Sequence, residues 1–338
     1  MTLSELYPKW LQLRKLEVSA NTLAKTMNTW KRFFAADDIS DIPVSELNRM
    51  YLKAWATNLI KTNALTRHYF NSEIKTVING LLDYAVELEM INVNKFRSIK
   101  INSRIFRPRK INEETEDVFT LDEERAIMQQ AEADSQVTGS GVPLGICILF
   151  CTGIRIGELC ALQWGDIDGH VLTVQRMQVA NKKEVDGRLV NDGYVVLDRA
   201  KTAAGTRRIY LPDKALTYFK QIKKLNRKNG FGVRKDDFIF KRSNKYADIQ
   251  RSDMCNHRVF DHRLRKYCKK LDLKYKKSPH DCRRTYISLL HEQGMNIDTI
   301  RRIAGHENLE MTLAYCRSRI PIEELSADIE AALSKVTR

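Results

Sequence analysis

Nowhere in its 338 residues does the chain hold an apolar run near the ~18 residues that cross a bilayer as a helix, and its mean hydropathy is −0.42. A transmembrane helix is excluded, and no membrane partner is expected. Met1 to Trp10 lacks the apolar core of a secretory signal. The seven cysteines, Cys147, Cys151, Cys160, Cys255, Cys268, Cys282 and Cys316, are odd in number, scattered and without a C-x-x-C pair, so they read as reduced and mostly packed. These absences point to the cytosol. There is no G-x-x-x-x-G-K-[ST] loop, which argues against an NTP-driven machine. Strands and helices do not alternate as βαβ units, and no internal repeat or low-complexity segment occurs, which argues against a doubly wound α/β fold.

What the chain does have is positive charge. Lys and Arg number 57 against 42 Asp and Glu, a net +15, while 43% hydrophobic residues suffice for cores in two domains and exclude intrinsic disorder. The excess is local. Residues 214–277 hold 21 basic and 6 acidic residues, a net +15 by themselves, whereas residues 114–213 are net −6. Lys223, Lys224, Arg227 and Lys228, then Arg263, Arg265, Lys266, Lys269 and Lys270, interleave with Leu225, Leu264 and Leu271, which suits helices with one basic face. Either run alone is equally well a solvated surface. Two runs together with a basic first third, net +7 over residues 1–113, favour nucleic acid held through its phosphates.

The first ninety residues read as all-helical. Leu3, Leu6, Trp10 and Leu13, then Leu23, Met27, Trp30 and Phe34, repeat at three and four, with Ser19 and Asn21 as candidate caps between them. A third helix fits Ser45 to Ile60, and a longer fourth fits Thr66 to Met90. Trp30, Phe33 and Phe34 are assigned to the core. Ile99 to Val118 has no clean period, contains Pro108, and turns from basic to acidic, as a linker does. A second domain opens at Thr120, where Glu123 stands three residues after a capping hydroxyl. An apolar helix near Leu144 to Cys151 follows. Then come three β-rich stretches, His170 to Gln175, Gly193 to Asp198 and Thr206 to Leu211, expected to form one small antiparallel sheet. Beyond it the pattern is helical, apart from a short strand candidate at Phe238 to Phe240. The expected class is mainly α with a small antiparallel β-sheet, α+β.

Three sites carry polar residues in demanding contexts. Arg155 follows the Gly153 turn at a helix start with Glu158 three residues on, so a carboxylate can orient the guanidinium fork for a phosphate; an ordinary surface ion pair has the same spacing. Ser278-Pro279 marks a second helix start and puts His280 and Arg283 in its first turn, where backbone amides and dipole favour anions; a lone His there is usually a cap or packing residue. Third, Gly305 is expected to end a helix and leave His306 exposed on a turn, nine residues before Tyr315. By its own context, a tyrosine in a helix is core or interface. A metal reading fails on ligands, because His280 and His306 have no Cys or carboxylate at zinc spacing and Arg283 would repel a cation, so neither metal nor cofactor is expected.

Arg155 with Gly153 and Glu158, His280-x-x-Arg283, Gly305-His306 and Tyr315, in that order, resemble the signature of the tyrosine recombinases, the phage integrase family. The resemblance spans about Thr120 to Arg319. Cys282 stands where the family usually has an aliphatic residue and Ala304 where Leu is common, and neither departure removes a reacting group. It implies a DNA strand transferase in which Tyr315 attacks the scissile phosphorus, leaving a 3′-phosphotyrosine and a free 5′-hydroxyl. Arg155, Arg283 and His306 would surround the non-bridging oxygens, His280 would take the tyrosine's proton, and Lys201 would donate one to the 5′-oxygen, with Glu158 positioning the arginine side. Lys201 is placed by its turn between two strands, which also offers Arg199, Arg207 and Arg208.

The resemblance further implies a helical core-binding domain over residues 1–98, a linker over 99–118 and a catalytic domain over 119–338, forming a C-shaped clamp on double-stranded DNA. Arg104, Arg107, Arg207, Arg208, Arg263 and Lys266 are the candidate backbone contacts. A homo-tetramer on two DNA sites, monomeric in solution, with accessory DNA-bending proteins, is expected in a cytoplasmic, nucleoid-associated protein encoded by a bacterium, phage or mobile element. Ile322 to Val336, with Leu325, Ile329 and Leu333 on one stripe, is expected to pack against a neighbouring protomer. The chain opens directly on the core-binding helices, so an armless member or a trimmed form is expected. Two other classes fit parts of the pattern: a type IB topoisomerase-like nicking-closing enzyme, and a non-catalytic DNA-binding protein of the same fold.

Overall fold

A computed structural model describes residues 1–108, 114–185, 187–198, 206–241, 254–317 and 319. The chain divides into two compact units, Met1–Ile111 with Ala180–Gly193, and Asn112–Val179 with Tyr194–Arg338.

The first unit is built from α1 (Leu3–Glu17), α2 (Ala20–Phe33), α3 (Arg49–Thr62), a single turn α4 (Arg67–Tyr69) and α5 (Lys75–Glu87). Their starts are set by side-chain oxygens that satisfy otherwise orphaned amides: Thr2 on Glu5, Ser19 on Thr22, Asn48 on Tyr51 and Thr66 on Tyr69. Asn48, not Ser45, therefore begins α3, and Asn21 lies inside α2. The expected fourth helix is continuous but not uniform, because Phe70–Ile74 forms a π-helical turn between α4 and α5. Trp30, Phe33 and Phe34 are all in the core, with Trp30 stacked on Tyr7 at 4.0 Å and on Phe34 at 5.5 Å. Ile99 and Phe106 are buried in this same core, so the first half of the expected linker belongs to the helical unit. Its missing periodicity reflects short 3-10 turns at Lys95–Ser98 and Ser103–Ile105.

The second unit opens with α6 (Leu121–Thr138), where Thr120 and Glu123 form the expected reciprocal cap. Then follow in chain order α7 (Val142–Thr152), α8 (Ile156–Cys160), strands β1 (Ile167–Asp168), β2 (Val171–Val174), β3 (Arg176–Val185), β4 (Arg188–Asp198) and β5 (Arg207–Tyr210), and helices α9 (Asp213–Lys228), α10 (His257–Lys270), α11 (Pro279–Glu292), α12 (Ile297–Ala304) and α13 (Leu309–Leu313), the Ala180–Gly193 stretch of β3 and β4 being the part counted with the first unit. Among the described residues the class is mainly helical with small sheets.

The expected single sheet is two. One is antiparallel in the order β1-β2-β5, with Leu172 opposite Ile209 and Val174 opposite Arg207. The other pairs β3 with β4, so Gly193–Asp198 joins a strand that the sequence reading missed. Leu172, Val174 and Ile209 of the first sheet are buried in the core and Ile167 packs against it, whereas β4 is mostly exposed and shows little of the inward-facing pattern that marks a core strand. Phe238 to Phe240 makes a single bridge with Gln163 and no strand. The apolar α7 is the centre of the unit. Its residues Leu144, Ile146, Cys147, Ile148 and Leu149 are at most 1% exposed, and the flanking helices wrap it.

The last residues of the expected linker are tied to this unit. Lys277, 1% exposed, donates to the carbonyls of Thr115, Glu116 and Val118, and Arg284 pairs with Asp117 at 3.0 Å. The Phe119 amide donates to Thr285 Oγ1 at 2.8 Å. These bonds bring the chain in beside the N-terminus of α11.

Candidate active site

Gly153 closes α7 in the left-handed region, φ 60°, and a Cβ there would lie 2.2 Å from the Tyr286 ring. Glycine is thus required by both backbone and space. The turn delivers Arg155 to the N-cap of α8. There Glu158 accepts from the Arg155 amide at 2.8 Å and from its Nη1 at 3.1 Å. Glu158 is fully buried. Burial alone would raise its carboxyl pKa, but the hydrogen bonds and charge of Arg207, with the charge of Arg155, hold it down at about 2. It is an anion at every working pH. A Cβ at Gly157 would lie 2.7 Å from the Gln178 carbonyl oxygen, so α8 sits directly on the backbone of β3.

The second group comes from the first turn of α11. Ser278 caps it and Asp281 caps back, accepting from the Ser278 amide at 2.7 Å and hydroxyl at 2.8 Å. One turn on, Arg283 has no exposed surface. Its Nη1 donates to the Gly153 carbonyl at 2.7 Å, and its Nη2 to the Ala304 carbonyl at 2.6 Å and to His306 Nε2 at 2.9 Å. Burial and the nearby Arg155 press its pKa down to about 9, so it stays cationic at neutral pH.

Gly305, φ 67°, ends α12 as expected, but His306 is 2% exposed, not solvent-facing. Hydrogen bonding turned it inward. Its Nδ1 bonds Thr312 Oγ1 at 3.0 Å while its Nε2 faces the Arg283 donor, which assigns the ring proton to Nδ1. Burial, with Arg283, Arg155 and Arg207, holds its pKa at about 3, so the ring is neutral.

Tyr315 follows α13, whose start is capped by Asn308. Its carbonyl accepts from Ser288 at 3.2 Å, and its hydroxyl lies 2.8 Å from His280 Nε2. The ring packs 4.7 Å from the His306 ring, with the guanidinium carbons of Arg283 and Arg284 5.9 Å and 5.6 Å from its centroid. His280 is solvent-accessible, yet partial burial and the cations Arg284, Arg283 and Arg155 keep its pKa below the usual imidazole value. A neutral imidazole nitrogen therefore faces a phenol beside two buried or half-buried arginines, an arrangement suited to an anionic phosphodiester and a nucleophile that must lose a proton.

Arg155, Glu158, His280, Arg283, His306 and Tyr315 are thus brought together in one site from four separate stretches of chain. Lys201 and residues 322–336 lie outside the described residues. Among the candidate DNA contacts, Arg104, Arg107, Arg208 and Lys266 are exposed. Arg263 is half-buried and bonded to Asp134, which also accepts from Tyr267 at 2.5 Å. Arg207 is a correction: it points inward, 8% exposed, its Nη atoms on Glu158 at 3.0 and 2.7 Å and its Nε on the Ile303 carbonyl at 2.9 Å, so its guanidinium is committed to Glu158 and the end of α12. Three supporting residues were missed. Asp281 was legible, since Ser-x-x-Asp is a capping spacing; Arg284 beside Tyr315 and Thr312 beneath His306 depend on contacts that spacing does not reveal. Among the described residues no group of His, Cys, Asp or Glu could hold a metal ion, and no helix is long and apolar enough to cross a membrane.

Residues 117–320 match the family model of the phage integrase family. The chain is 30% identical over 174 residues to the ICEBs1 integrase of Bacillus subtilis (strain 168), covering 49% of this chain and 42% of that one, so it spans less than half of that curated relative. Its fold is that of the Tn1549 transposon integrase in complex with transposon right-end DNA, TM-score 0.72 at 22% identity, over 98% of this chain and 100% of that one. A lambda integrase tetramer bound to a Holliday junction matches with TM-score 0.61 at 15% identity, over 94% of this chain and 78% of that one. With the family model covering more than half of the chain, and the arginine, histidine and tyrosine positions of the signature converging on one site, the protein belongs to the phage integrase family.

Proposed function

We propose that the chain is a site-specific DNA recombinase that cuts and rejoins duplex DNA through a 3′-phosphotyrosine at Tyr315. The observation that carries this reading is the 2.8 Å contact between the Tyr315 hydroxyl and His280 Nε2 beside Arg283 and Arg155. His280 takes the phenolic proton as the oxygen attacks the scissile phosphorus. The bond to the 5′-oxygen breaks, and Lys201 protonates that oxygen as it leaves. A phenol of pKa ~10 needs such a base at neutral pH. Arg155 and Arg283 neutralise the crowded phosphorane oxygens, and the neutral His306 ring, bonded to Thr312 and Arg283, holds the Arg283 guanidinium in place. The phosphotyrosine conserves the phosphodiester energy, so the 5′-hydroxyl of a partner strand reverses the step onto new DNA without a nucleotide cofactor.

Residues 1–98 serve as the core-binding domain and 119–338 as the catalytic domain. Four copies act on two recombination sites, which supports integration, excision or resolution of a mobile element. The basic surface of α10 and the exposed Arg104, Arg107 and Arg208 supply phosphate contacts.

A random-sequence library of nicked suicide duplexes tests the reading. The protein should retain a subset of duplexes through denaturing detergent, with the adduct on the Tyr315 peptide, and Tyr315→Phe should retain none. Captured sequences, placed on two molecules, should then exchange flanks. Relaxation of one supercoiled circle without exchange would instead identify a nicking-closing enzyme, and binding without any adduct would sink the covalent reading.

A further inference from the structure

The last turn of α12 presents three consecutive carbonyls, and each is taken by a different arginine: Ile303 by Arg207 Nε at 2.9 Å, Ala304 by Arg283 Nη2 at 2.6 Å, and Gly305 by Arg155 Nη2 at 2.9 Å. Two of these guanidinium groups belong to the phosphate site proposed above. The third, Arg207, faces the interior. Its Nη1 and Nη2 hold the two oxygens of the fully buried Glu158, and its own side chain is 8% exposed. A Cβ at Gly305 would lie 3.1 to 3.2 Å from three Arg207 side-chain atoms, so the turn before His306 rests on this side chain. Arg207 itself is held from below, because it stands opposite Val174 in the β2-β5 ladder.

We infer that Arg207 is a positioning residue that keeps Arg155 available, as an unneutralised cation, to the scissile phosphate. The inference rests on the transesterification reading and adds a residue to it. Charge decides the matter. Arg155 and Glu158 alone form a neutral pair, and a buried carboxylate with a single cationic partner would draw that partner into a two-pronged bond. With Arg207 bonded to both oxygens of Glu158, the trio carries one net positive charge, and the Arg155 guanidinium meets the carboxylate through Nη1 at 3.1 Å while its Nη2 is on the Gly305 carbonyl. Arg155 is also the more accessible of the two, with 25% of its side chain exposed. The same fork, through Ile303, fixes the end of α12 from which Arg155 and Arg283 take their spacing. Lysine at 207 would keep the charge but lose the fork.

The experiment uses the full chain and a suicide duplex that the wild type converts to covalent adduct, in two forms: an ordinary scissile phosphodiester, and a methylphosphonate in which one charged non-bridging oxygen is replaced by methyl. Arg207→Met should lower the single-turnover rate on the phosphodiester by about 100-fold, the size expected for a lost oxyanion contact. Its dissociation constant for the duplex should stay within about threefold. On the methylphosphonate isomer lacking the oxygen that faces Arg155, the penalty should shrink to below about tenfold. In an Arg155→Ala background Arg207→Met should cost nothing further. Arg207→Lys, which disturbs packing less, should show a smaller loss, about tenfold, with the same rescue, and answers the question even where the Met variant does not fold. Equal penalties on both substrates, or losses that add to those of Arg155→Ala, would show that Arg207 merely supports the fold and would overturn the inference. A wild type that forms no adduct on any duplex overturns the transesterification reading itself, so the two failures are distinguishable.

Discussion

The hydroxyl of Tyr315 lies 2.8 Å from Nε2 of His280, thirty-five residues earlier in the chain, and the two rings meet edge to face at 5.2 Å. Because partial burial and the nearby arginines keep the imidazole neutral, His280 accepts the phenolic proton without any change of charge state beforehand. His280→Ala should therefore slow covalent adduct formation by about 100- to 10,000-fold at pH 7. The residual rate should climb with pH, because the phenolic proton then has only solvent base to go to, while the wild type stays flat through neutrality. Single-turnover rates between pH 6 and 10 decide this, and a flat residual profile would remove His280 from the proton path.

Stability should fall in mild acid through His306. Its folded pKa, about 3, lies below the ordinary 6.5, so between these values the unfolded chain binds a proton that the folded one refuses. The contribution is intact above pH 6.5 and is lost as pH drops toward 3, at up to about 1.4 kcal/mol per pH unit. Urea unfolding at pH 7.5 and pH 5 should show His306→Gln losing less stability between the two conditions than the wild type. An identical difference for both proteins would contradict the buried neutral ring.

Gly153→Ala should destabilise the second unit by about 2 kcal/mol or more, combining left-handed backbone strain with the 2.2 Å approach to Tyr286. Since the Gly153 carbonyl also accepts from Arg283, cleavage should drop further than the lost folded population explains. Denaturant curves and adduct rates measured on the same preparation separate the two effects.

Replacing Lys277 by Met should cost about 3 kcal/mol, because three carbonyls that now share one buried ammonium would be left without it. The loss should be matched by faster proteolysis within residues 114–118. Unchanged unfolding would show that these carbonyls find other donors.

On the exposed surface, Lys266→Ala and Arg208→Ala should each weaken binding of unrelated duplexes alike and lower the slope of log affinity against log salt by about 0.9, the signature of one lost phosphate contact. Arg263→Ala, removing a cation already bonded to Asp134, should change that slope less.

The sequence by itself determined the helical character, several helix ends and the Arg155, Glu158, His280, Arg283, His306 and Tyr315 set that the structure brings together. Helical period, capping hydroxyls and the Gly153, Pro279 and Gly305 punctuation are local, and a signature of reacting residues keeps its order in the chain even when its parts are far apart in space. Only the tertiary structure decided which way the polar groups face. Arg207 and Arg208 are adjacent in one strand and alike in chemistry, yet alternation sends one into Glu158 and the other to solvent. His306 follows a helix-ending glycine like many exposed turn residues, and it is held inward by Arg283 and Thr312, arriving from 23 residues earlier and 6 later, with the Tyr315 ring packed against it. Division of the strands into two sheets is of the same kind: pairing partners are chosen by packing between distant segments, which no window of sequence contains.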